Sequence, residues 1–214
     1  MGADRIVQGQ VFPAGTNKYE SPGSIIVDAV TGMIQTVNNQ RQVITQQSAI
    51  AAAGAQTTIT AITTAQDLYS KAIAAGILNQ VGRTLSVSGW GVYSTAGGTT
   101  PTLTFALIFA GVTLCTITTA AINTAANTNL QFQFNFQVTV ITTGTTATLE
   151  AHGTVSANLS ANTPGAALSA FGDQNTAVSS ATNLAAAGTL EVTMAASAAV
   201  ASATLRQVSV EVLS

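Results

Sequence analysis

The chain has 214 residues, a net charge of −2 and 7% charged side chains, against roughly 25% in an average soluble protein. Its apolar content of 47% is ordinary, so neutral polar residues have taken the place of charges. This excludes a charge-rich disordered chain and leaves no basic footprint for nucleic acid. A single cysteine, Cys115, excludes an intrachain disulfide and a cysteine-rich zinc centre.

The first 55 residues differ from the rest. Asp4, Arg5, Lys18, Glu20, Asp28 and Arg41 lie here, with Pro13, Pro22 and the turn signals Ala14-Gly15 and Pro22-Gly23. Short apolar runs such as Ile25-Ile26-Val27 predict short strands on an extended N-terminal arm spanning 1–55. The residues after Met1 lead into no apolar run, and Ile6 stands where a myristoylation pattern needs Ser or Thr. The expectation is a protein made in the cytosol without a membrane step.

From Gln56 the chain reads as β-rich. Residues 57–63 are dense in β-branched side chains, which suit a pleated surface. Residues 65–78 could be read as helix. In 83–93, alternation sets Leu85, Val87 and Tyr93 on one face and Trp90 and Val92 on the other. Gly97-Gly98 marks a turn, after which Leu103, Phe105, Leu107 and Phe109 share a face. The charge-poor run 105–122 is broken by threonines and predicts a strand pair rather than a membrane span. Cys115 lies in it as a small buried hydrophobe.

Residues 130–140 give the clearest element. Leu130, Phe132, Phe134, Phe136, Val138 and Val140 point one way; Gln131, Gln133, Asn135, Gln137 and Thr139 point the other. That pattern is a half-buried antiparallel strand with an amide-rich polar face. Residues 145–155 predict another strand, 156–187 a long loop, and alternation resumes at Leu190-Val192-Met194 and Val208-Val210-Val212. About eight strands with Gly, Asn and Pro turns predict an all-β antiparallel sandwich of jelly-roll type over 56–214.

Little catalytic chemistry is legible. Between Arg83 and Glu150 stands no Asp, Glu, Lys or Arg. Period two puts Glu150 beside His152, the sole histidine, but a metal site needs more ligands and a serine hydrolase lacks its Gly-x-Ser-x-Gly elbow. Gly89-Trp90-Gly91 lacks the third glycine and following helix of a dinucleotide site; its glycines are expected to let Trp90 pack across a neighbouring strand. Thr-x-Thr pieces lack the fixed period of an ice-binding face. Trp90, Tyr93, Glu150 and His152 are therefore candidates for interface or ligand contact, with no catalytic residue, metal or cofactor expected.

The phrases Val81-Gly82-Arg83-Thr84-Leu85, Gly91-Val92-Tyr93-Ser94-Thr95 and Pro101-Thr102-Leu103-Thr104-Phe105 resemble a pattern in virion structural proteins of tailed bacteriophages. The resemblance covers 56–214 and is to β-rich head-decoration (cement) and fibre-associated proteins. It implies a jelly-roll domain, commonly trimeric, seated on a capsid or tail, with the arm contacting neighbouring subunits. Its partners would be the major capsid protein, other virion proteins and copies of itself, with no nucleic acid and no membrane. The alternative it leaves open is a receptor- or carbohydrate-binding fibre or spike domain, with Trp90, Tyr93 or the segment after Ser156 at the ligand.

Overall fold

The computed structural model describes residues 57–160 and 168–213, with the backbone alone over 173–181 and in five earlier strands. Those are β1 (Val11–Phe12), β2 (Ile25–Asp28), β3 (Ile34–Val37), β4 (Val43–Thr45) and β5 (Ser48–Ala53). The rest are β6 (Thr57–Ile62), β7 (Gln66–Ile73), β8 (Thr84–Thr95), β9 (Leu103–Phe109) and β10 (Val112–Thr118), then β11 (Asn127–Val140), β12 (Ala147–Ala157), β13 (Ser169–Thr182), β14 (Gly188–Ala196) and β15 (Val200–Leu213). Strands β1 to β4 form a small sheet in chain order. The turn signals Ala14-Gly15 and Pro22-Gly23 lie outside the described residues.

Two larger sheets make the sandwich. One has the order β10-β9-β14-β7; the other runs β13-β12-β11-β8-β15-β5, with β6 also paired to β15. All their pairings are antiparallel. Because β5 covers the 208–212 half of β15 and β6 the 200–205 half, the two act as one interrupted edge strand.

The strand order is that of a jelly roll. Four antiparallel pairs, β6·β15, β7·β14, β8·β11 and β9·β10, nest as a single long hairpin rolled so that successive pairs fall in alternate sheets. β12 and β13 extend the large sheet beyond β11. The tip of the rolled hairpin is the two-residue turn Ala110-Gly111, both at positive φ (51° and 78°), the geometry whose twist matches flanking antiparallel strands. The Gly97-Gly98 turn is also as expected, both residues lying at positive φ.

Period-two burial drives the assembly. β9 buries every second residue from Leu103, and β11 does so from Leu130 to Val140. The Phe105 and Phe132 rings meet at 5.4 Å between centroids, joining β9 of one sheet to β11 of the other. Cys115 is buried in β10, and 105–122 contains the β9·β10 pair.

One expectation is corrected: the stretch 156–187 is not a continuous loop, since it holds the fourteen-residue β13 paired along β12. Within 65–78, where the sequence leaves helix and strand open, Gln66–Ile73 is a strand. Its burial skips phase, with Leu68 and Tyr69 both buried, because the pairing to β14 shifts register between Val192 and Thr193. A bulge of this kind hides the alternation on which a sequence reading depends.

The glycines around Trp90 have a different purpose from the one expected. Gly89 and Gly91 share the inward phase with Leu85, Val87 and Tyr93, whereas Trp90 faces outward. Antiparallel register sets Phe134 opposite Gly89, Phe132 opposite Gly91 and, on the far side of β11, Phe136 opposite Gly153. A Cβ on these glycines would come within 2.6, 2.5 and 2.4 Å of the respective ring. Each phenylalanine thus lies over a bare glycine on the next strand, a known way to cover backbone that lacks a side chain.

Candidate functional site

The outer face of the large sheet is set by the same registers that build its core. Because side chains alternate, the outward residues of β15, β8, β11 and β12 line up in rows across the sheet, about 4.8 Å from strand to strand. One row reads Gln207, Trp90, Gln133, Ser156; the next reads Ser209, Ser88, Asn135, Thr154. The next beyond that reads Glu211, Ser86, Gln137, His152, and the last Leu213, Thr84, Thr139, Glu150.

The first two rows, with Gln131 and the strand segments at Gly89 and Phe134, line an open depression of about 660 Å³. Trp90 stands in it at 40% exposure, and its Nε1 donates to Gln207 Oε1 at 3.2 Å. That bond crosses the local bulge between Leu205 and Gln207 and ties the indole to the neighbouring strand. Among the described residues, the side chains of Gln131, Gln133 and Asn135 make no hydrogen bond within the protein, so their amides are offered to the outside. Among the described residues, no ionisable one lines the depression.

The four sequence candidates separate. Trp90 lines the depression. Glu150 and His152 share the outer face of β12, as their spacing predicted, but lie in the rows beyond it. On the β11 side, His152 is opposite Gln137, and Glu150 is opposite Thr139, whose hydroxyl is 3.1 Å from that of Thr84. Among the described residues no group of three His, Cys, Asp or Glu could hold a metal ion. The segment after Ser156 named as a possible ligand loop includes 161–167, which lie outside the described residues.

Tyr93 is not beside Trp90 at any surface. Three positions along a strand put the two rings on opposite faces, and Tyr93 is 1% exposed in the core. Its hydroxyl donates to the Asn158 carbonyl. Burial pushes the phenol well above its ordinary value near 10. A folded-state value above the unfolded one contributes stability that is present below about pH 10 and is lost as pH rises beyond it. Tyr93→Phe is therefore expected to flatten the alkaline limb of the stability curve, read as urea midpoints across about pH 9 to 11, while costing about 1 kcal/mol at neutral pH. Tyr69, also raised by burial, adds to the alkaline slope in the same direction. An unchanged limb in the variant would assign the whole of it elsewhere.

Sequence reasoning missed Gln207, Ser209, Thr154 and Ser156 as neighbours of Trp90. Gln131, Gln133 and Asn135 were legible as the polar face of β11, but only strand register brings the other residues alongside.

What fold and face define together is an antiparallel jelly-roll sandwich whose large sheet carries an outer depression lined by uncharged described residues, Trp90 among them. No family model and no curated protein matches the chain. Among solved structures it is similar to the CBM2 module of the evolved Dit of Lactobacillus casei BL23 phage J-1, at 8% identity and TM-score 0.32, over 66% of this chain and 67% of that one. It is also similar to a protein of unknown function from Shewanella oneidensis MR-1, at 10% identity and TM-score 0.33, over 79% of each chain. Likenesses this distant carry no functional argument.

Proposed function

We propose that the protein is a structural, non-enzymatic component of a bacteriophage virion, of the head-decoration (cement) kind. In this reading it binds the major capsid protein and copies of itself, as a trimer, and the part of the 1–55 arm ahead of β5 reaches neighbouring subunits. The observation that carries it is the chemistry of the outward strand positions. Threonine, serine, amides and alanine fill most of them, and hydroxyl pairs such as Thr58–Thr204 and Thr104–Thr118, each 3.0 Å apart, satisfy one another across strands. Faces of this kind dock without the desolvation cost of buried charges, and symmetry multiplies many weak contacts. The phage-like phrases at 81–85, 91–95 and 101–105 support the same reading.

The test compares the full chain with a form lacking residues 1–47, which keeps β5 and the whole sandwich. Light scattering gives the mass of each, and co-sedimentation with heads stripped of the protein gives binding. The expected result is an unchanged oligomer whose affinity for heads falls by about 100-fold or more. Failure of the full chain to bind heads would count against the decoration role; retained binding by the shortened form would count against the arm. The second reading, a receptor- or carbohydrate-binding fibre or spike domain, is favoured by one observation, the depression around Trp90.

A further inference from the structure

We propose that the depression centred on Trp90 binds a neutral glycan chain, with one sugar ring stacked on the indole and its hydroxyls held by the surrounding amides. This goes beyond a structural role and stands whether or not the protein sits on a shell.

Among the described residues Trp90 is the one aromatic ring counted among the exposed large hydrophobics. The alternation of β8 places it there when the same strand buries Leu85, Val87 and Tyr93. An exposed indole offers a broad apolar face with a polar edge, and here the polar edge is already engaged by Gln207. The ring is thereby oriented before any ligand arrives, which lowers the ordering cost of binding.

What surrounds the ring selects the ligand class. Gln131, Gln133 and Asn135 each carry a donor and an acceptor on one short planar group, and sugar hydroxyls also donate and accept. A volume of about 660 Å³ falls in the range of small-ligand sites. An open depression suits an internal stretch of a chain rather than an enclosed monosaccharide. With no cation among the described lining residues, phosphate, uronate and sialate groups would find no charged partner among them.

Trp90 is the chain's single tryptophan, so its own fluorescence reports the site. The full-length protein, without heads, is titrated with cellohexaose, maltohexaose and the hexamer of N-acetylglucosamine, and with an oligogalacturonate as the acidic counterpart. The expected result is a saturable emission change with at least one neutral hexasaccharide, little altered by about 0.5 M salt. By calorimetry, Gln133→Ala and Trp90→Ala should each weaken that binding by about tenfold or more, with melting temperatures close to that of the parent. The proposal is overturned if no neutral hexasaccharide saturates the signal, if only the acidic one does, or if Trp90→Ala binds as the parent does. The outcome is independent of shell binding, since no shell is present.

Discussion

Alanine in place of Gly91 is expected to destabilise the fold by about 3 kcal/mol or more, lowering the melting temperature by roughly 6–12 °C. The added methyl would lie 2.5 Å from Phe132 Cζ and 2.3 Å from the Thr204 carbonyl oxygen. The ring could turn aside only by pushing into a filled core, and the carbonyl belongs to the paired strand β15. Gly153 offers an internal comparison. There the closest obstacle is the Phe136 ring at 2.4 Å, and the nearest backbone atom is 3.1 Å away. Phe136→Leu should therefore relieve Gly153→Ala in a double-mutant cycle by about 1 kcal/mol, whereas Phe132→Leu should do little for Gly91→Ala. Gly172→Ala, whose nearest neighbour would be at 3.7 Å, should stay within about 0.5 kcal/mol of the parent. Denaturant melts of this set decide the matter: a well-tolerated Gly91→Ala would mean that the rings do not lie over the glycines as described.

Truncating Phe132 to alanine should cost still more, about 3–5 kcal/mol. The ring is fully buried, bridges the sheets through Phe105 and covers the backbone at Gly91. Its loss opens a cavity between the layers and bares a strand with no side chain of its own to fill it. Phe171 on β13 is only partly buried against the same core, so Phe171→Ala should cost much less. Urea midpoints with unchanged slopes would report the difference as stability alone; equal losses at the two positions would contradict a core centred on β11.

These two cases also show what the sequence could and could not disclose. The alternation of residues 130–140 was plain because one face is apolar throughout. The glycines of β8 were visible too, but their partners were assigned to the wrong face. Period two alone places Gly89 and Gly91 opposite in phase to Trp90; what was lacking was the register that sets them against Phe132 and Phe134. β13 escaped notice because Ser, Ala and Thr dominate it, leaving no large apolar rhythm, and it is a strand by virtue of pairing with β12. The site was half legible in the same sense. Trp90 could be read as outward and β11 as amide-faced, yet only pairing makes Gln207 and Ser156 neighbours of the indole, and only the phase of β8 removes Tyr93 from it.

The rolled hairpin also dictates the order in which the protein can come together. Its tip at Ala110-Gly111 joins partners next to each other in the chain, whereas the outermost pair is far apart: Thr58 meets Thr204 across 146 positions. Contacts this remote are slow to form because a long loop must close before any of them is rewarded. β15 completes pairings with β5, β6 and β8, so a growing chain carries β8 with one edge open until β15 has been made. An open, apolar strand edge is an invitation to pair with another chain. Slow synthesis or crowded expression therefore threatens this protein most between the making of β8 and the arrival of β15, before the finished fold exists to protect it.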